Sequence, residues 1–98
     1  MSFPIKNDND PFESYDEFLD NISRGGEIEF CYDSKKYTLT HGKAEDGCHL
    51  VFFGVANSDE INEYRIENDN FDVIGDLKLG DNYIRSNVTK FEVLFRCF

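Results

Sequence analysis

The chain has 98 residues, 40% of them hydrophobic, with ten Phe and five Tyr. That is enough for one domain with one modest core, and too many rings for a disordered acidic tail. Twenty acidic residues against ten basic ones leave a net charge of −10, which disfavours direct contact with nucleic acid phosphates or anionic membranes and favours a basic partner. Cys31, Cys48 and Cys97 are an odd set in a short chain, which argues against a disulfide framework.

The start of the sequence has no basic stretch followed by an apolar run, and no segment approaches the ~20 apolar residues of a membrane helix. The expected compartment is the reducing cytoplasm. Residues 1–10, with Pro4 and the run Lys6-Asn7-Asp8-Asn9-Asp10, read as a loose lead-in to a single domain spanning 1–98.

Ser14-Tyr15-Asp16-Glu17 matches a capping box, with Ser14 accepting from a free backbone N–H and Glu17 reaching back. Tyr15, Phe18, Leu19 and Ile22 form one apolar stripe at helical spacing, and Gly25-Gly26 ends the helix. Ile28, Phe30 and Tyr32 then alternate with Glu27, Glu29 and Asp33, which is the period of a strand. Asp33-Ser34-Lys35-Lys36 reads as a tight turn into a second strand through Tyr37, Leu39 and His41, making a hairpin.

After a polar loop from Gly42 to Gly47, Cys48 to Val55 is a strand with little alternation, as expected when both faces are covered. Ile61 to Ile66 reads as a strand in preference to a short helix. Phe71 to Leu79 reads as a short helix or loop, and Asp81 as the cap of a helix through Tyr83, Ile84 and Val88. Phe91, Val93 and Phe95 alternate in a terminal strand, the candidate for an exposed sheet edge. The fold expected is α+β: an N-terminal helix on an antiparallel sheet of about four to five strands, with short helical segments near the C-terminal half.

Catalytic and metal motifs do not emerge. Cys48 and His49 are adjacent and so point to opposite faces of a strand, while Cys31 and His41 lie on neighbouring strands and meet only in a particular register. No cysteine sits at a helix N-terminus where its thiol would be activated. Neither Asn68-Asp69-Asn70 nor the Asn7–Asp10 cluster carries the Gly and Glu spacing of a helix-loop-helix calcium site. Glu27 after Gly25-Gly26 would repel a phosphate. The expectation is therefore no enzyme activity, no metal and no cofactor.

The most informative segment runs from Asp59 to Asp81. Asp59, Glu60, Glu63, Glu67, Asp69, Asp72, Asp76 and Asp81 stand there against Arg65 and Lys78, with Tyr64, Phe71 and Tyr83 interleaved. Carboxylates with interspersed rings suit a surface that covers a basic cleft. The other reading is a solvated face over a core that owns the rings. A second acidic cluster of Asp8, Asp10, Glu13, Asp16, Glu17 and Asp20 is partly explained by helix capping.

The stretch Phe18 to Tyr37, a helix ending at Gly25-Gly26 and running into Glu27-Ile28-Glu29-Phe30, resembles a pattern in small bacterial proteins. The whole chain, short and acidic, resembles the immunity proteins of bacterial toxin systems such as contact-dependent growth inhibition. That resemblance implies a cytoplasmic antitoxin binding a basic toxin domain, nuclease in type, and carries over no residue roles. The acidic segment supplies the expected ones: Glu63, Glu67, Asp69, Asp72 and Asp76 as phosphate mimics, with Tyr64 and Phe71 as anchors. A phage-type acidic inhibitor of a host nucleic-acid-binding enzyme, and a small ligand-binding domain, are the alternatives.

Overall fold

A computed structural model describes residues 10–97; most of the lead-in expected over 1–10 lies outside the described residues. Helix α1 spans Tyr15–Ser23 and begins as its capping residues dictate. The Ser14 hydroxyl accepts from the Glu17 N–H at 3.1 Å. Glu17 reaches back one residue further than a simple capping box, accepting from the Glu13 N–H at 2.7 Å. Phe18 and Ile22 on the inner stripe of α1 are fully buried.

Strands β1 (Ile28–Tyr32), β2 (Lys35–Lys43), β3 (His49–Val55), β4 (Ile61–Ile66) and β7 (Glu92–Arg96) form one antiparallel sheet in the order β4-β3-β2-β1-β7. Between β4 and β7 the chain makes a 3-10 helix (Phe71–Asp76), a small hairpin of β5 (Lys78–Leu79) with β6 (Asn82–Tyr83), and 3-10 turns at Ile84–Ser86 and Val88–Lys90. The result is an α+β fold with α1 and these short pieces on one face of a five-stranded sheet.

The hairpin β1–β2 closes on two residues, Asp33 (φ 50°) and Ser34 (φ 66°), both in the left-handed region, as a two-residue primed turn requires. A non-glycine residue there carries a steric cost. Ser34→Gly relieves roughly 1–2 kcal/mol of left-handed strain against about 0.4–1 kcal/mol of added unfolded-chain entropy, so stability should rise modestly, seen as a higher urea midpoint with an unchanged slope.

The core is built on rings. Phe30 from β1 stacks on Phe91 at 3.9 Å between centroids and lies alongside Tyr37 at 5.5 Å and Phe53 at 6.4 Å. Phe18 of α1 meets Phe91 edge-on at 6.1 Å. Ile74, Leu79, Ile84 and Val88 from the connecting segment close the same cluster.

Several local readings change in three dimensions. Strand β2 continues to Lys43, into the stretch that reads as a polar loop, because it pairs with β3 as far as Lys43↔His49. β3 is covered unequally: Val51 and Phe53 face the core, while Leu50 and Phe52 lie on the face opposite α1, outside the core cluster. Asp81 caps no helix. Gly80, at φ 69°, lets the chain reverse between β5 and β6, and only 3-10 turns follow.

The expected alternation of Val93 and Phe95 in β7 also fails. The register against β1 slips between Glu29 and Phe30, so Phe30 opposes Val93 but Glu29 opposes Phe95. This bulge turns Phe95 outward, 39% exposed, and sends Arg96 inward, 5% exposed. The guanidinium of Arg96 then meets Glu17 at 3.3 Å, Asn21 Oδ1 at 3.3 Å and the Asp10 carbonyl at 3.2 Å, over the ring of Phe12 at 4.0 Å.

Candidate protein-binding surface

The topology sorts the acidic residues of 59–76 into distinct places. β4 is a terminal strand of the sheet, so its outer edge has no neighbouring strand among the described residues. Asp59 and Glu60 lie before it, Glu63 lies within it, and Glu67 and Asp69 follow it; all are exposed. A strand of this length is about 20 Å long, so the carboxylates form a ridge along one edge of the sheet. Among the described residues none of these carboxylates is in an ion pair. The strand's one cation, Arg65, is held by Asp46 at 2.7 Å. That contact and the Cys48 backbone N–H keep Asp46 below the usual carboxylate range, with the backbone bond contributing most.

At the far end the ridge opens into a cleft of about 590 Å³ between α1 and residues 69–72. Asp16, Asp20, Asp69 and Asp72 stand on its rim, and Leu19 and Phe71 line it. Asp69 (φ 56°) and Asn68 (φ 55°) both sit in left-handed backbone, which folds this turn tightly back toward the cleft. Asp20 is engaged by Arg24 at 3.2 Å; Asp16 and Asp69 form no ion pair among the described residues.

Asp72 and Asp76 differ in kind from the ridge. Arg85 bridges them at 2.7 and 3.0 Å, and its guanidinium lies over the Tyr15 ring at 4.8 Å. The Tyr15 hydroxyl donates to Asp72 at 2.8 Å. Arg85 and Tyr15 together hold the Asp72 carboxyl below its usual range, while burial and the Asp72 contact push the Tyr15 phenol well above its own. These carboxylates pin the 3-10 helix to α1 and share one guanidinium, which sets them apart from the unpaired carboxylates of the ridge.

The two rings of the segment are turned toward the core. Phe71 is 6% exposed and packs against His49 and His41 at 5.0 and 6.4 Å. Tyr64 is half-buried against the core. Of the residues expected to bind a partner, Asp59, Glu60, Glu63, Glu67 and Asp69 thus stay open.

His41 and His49 form a contact the sequence does not announce. Cys31 pairs with Lys36, and His41 sits opposite Val51, so Cys31 and His41 are apart. Instead the register Lys43↔His49 makes His41 and His49 diagonal neighbours on one face, with Nδ1 of His41 2.7 Å from Nε2 of His49. The sequence signal was two His flanking a hairpin loop, readable only with the loop's register known. Among the described residues no group of three or more His, Cys, Asp or Glu is placed to hold a metal ion. Cys31, Cys48 and Cys97 are free thiols. No described helix is long and apolar enough to cross a membrane.

The class defined by this geometry is a two-layer α+β domain with an acidic sheet edge that ends in a cleft. Comparison with protein-family models, curated protein sequences and solved structures finds no match for the chain.

Proposed function

We propose that the chain is an immunity protein or antitoxin that acts in the cytoplasm, binding a basic toxin domain of nuclease type and covering its substrate cleft. A nuclease cleft is cationic because it must hold phosphates. A ridge of unpaired carboxylates competes for those same cations, steering the encounter over several ångströms and excluding substrate once docked.

The observation that supports this reading is the set Asp59, Glu60, Glu63, Glu67 and Asp69, exposed along one edge with no ion-pair partner among the described residues. Open carboxylates repel one another and cost stability, a cost that a cationic partner relieves. Rim charges of this kind act mainly on the association rate.

The test is a capture from the native host with two baits, the natural chain and the triple variant Glu63→Lys/Glu67→Lys/Asp69→Lys. A basic protein should be retained by the first and lost by the second. Its nuclease activity should fall when the natural chain is added. Association should slow by about tenfold or more in the variant and lose most of its salt dependence. Equal capture by both baits would remove the ridge from the interface. A captured enzyme that stays fully active in the complex would end the inhibitor reading.

A further inference from the structure

The imidazole pair lies directly behind the acidic cleft. Nε2 of His41 is 2.8 Å from the carbonyl of Gly26, which can only accept, so this nitrogen carries a hydrogen. In neutral His41 the other nitrogen, Nδ1, is then an acceptor, and Nε2–H of His49 donates to it across 2.7 Å. Nδ1 of His49 is left as the open basic site of the pair. Phe71 packs edge-on against His49, and its own N–H donates to the Asp69 carbonyl at 3.0 Å. The pair therefore props the turn that carries Asp69 and one wall of the cleft.

The contact between the rings depends on which nitrogens carry hydrogens. A hydrogen on Nδ1 of His49 leaves every hydrogen bond in place. With hydrogens on all four ring nitrogens, two N–H groups stand face to face at 2.7 Å and the bond breaks. Charged and titratable groups around the pair come from each packed element. Lys43 on β2 opposes a positive charge on His49, Asp69 in the turn favours one, and Cys48 and Glu67 line the hollow beside it. Phe71 brings only a ring, and Gly26 only a carbonyl.

We propose that His41 and His49 form a proton-operated joint behind the cleft, which tolerates one proton and opens on the second, freeing the turn of Asp69 and Phe71 and weakening the grip on a basic partner in acid. Burial, the neighbouring His41 and Lys43 hold the His49 imidazole below its ordinary range, with burial the largest cause. The sign follows: His49 binds its proton less readily folded than unfolded, so the closed joint is fully favoured above about pH 6.5 and loses support as the pH falls below it. The consequence for partner binding rests on the proposed function, and linkage makes it reciprocal, since a bound cation beside Asp69 should also disfavour the protons.

The test uses the full chain and nitrogen-15 NMR. Near pH 8 both rings should show the Nε2–H tautomer. Between about pH 7.5 and about pH 5, the amides of Asn70 and Phe71 should lose protection from hydrogen exchange severalfold, once corrected for intrinsic rates. In His49→Gln the side-chain amide donates its N–H to neutral His41 or turns its oxygen to accept from a protonated one, so two N–H groups are never forced together and the loss of protection should largely disappear. An Nδ1–H tautomer at His41, or equal loss of protection in both proteins, would overturn the joint. A second arm measures binding of a nine-lysine peptide at both pH values. Affinity that drops in acid for the natural chain and holds in His49→Gln supports the coupling, and affinity unaffected by pH in the natural chain overturns it. No peptide binding at either pH counts against the acidic ridge and the coupling, while the NMR arm still decides the joint.

Discussion

Arg96→Met should destabilise the domain by about 3–5 kcal/mol, the cost of leaving one buried ion without its partner. Arg96 and Glu17 have side chains only 4% and 2% exposed, and they join the last strand to the first helix across 79 positions of sequence. The guanidinium also donates to the Asn21 side chain of the same helix and to the Asp10 carbonyl before it, so its removal leaves two further acceptors without this donor. Glu17→Met alone should cost a similar amount, because the guanidinium then loses its counter-ion over Phe12. The double variant Glu17→Met/Arg96→Met should be much less damaging than the sum of the two. Apolar residues of similar volume replace a buried pair at little net cost. Urea titration of the four proteins closes the cycle. Strict additivity would mean that the pair is solvated, and that the bulge in β7 has another purpose.

Phe30→Ala should cost about 3–5 kcal/mol, the range for deleting a fully buried ring from a core that cannot collapse. Phe30 is 0% exposed and contacts Phe91, Tyr37 and Phe53, so three rings lose a face at once. Each kcal/mol lowers the melting temperature by roughly 4–8 °C in a domain of this size. The change would therefore remove much of a total stability of order 5–15 kcal/mol. Phe30→Leu keeps most of the volume and should cost about 1.5 kcal/mol or less. If both variants melted alike, the stack would not be the centre of the core. Phe52, on the opposite face of the sheet and half-buried, is the internal control: Phe52→Ala should cost far less than Phe30→Ala.

The acidic edge and the core place opposite demands on one sheet. β4 is anchored by Ile66, 3% exposed, but most of its other side chains face solvent. Charges on a terminal strand also discourage chance pairing with other chains. The triple charge reversal separates these roles, because Lys at the same positions would still guard the edge while abolishing attraction to a cationic partner.

Much of this protein follows from local chemistry that a linear chain carries openly. Ser14 and Gly25 bound the helix, Ile28-Glu29-Phe30 alternates as a strand must, and the Ile61–Ile66 strand and the excess of carboxylates are legible without coordinates. These signals are short-range: capping, backbone freedom and side-chain period act within a few residues. What only the tertiary structure decided is which charges are open, which rings are buried, and which side chains meet. Asp72 and Asp69 look alike in the sequence, yet Arg85 pairs with the first and no ion pair among the described residues engages the second. Phe71 looks like an anchor until two imidazoles cover it. A one-residue slip beside Glu29 exchanges Phe95 for Arg96 in the interior, and with it creates the buried ion pair. Strand register and long-range packing set these outcomes, because the period of a strand is two and a single displaced residue inverts every face beyond it.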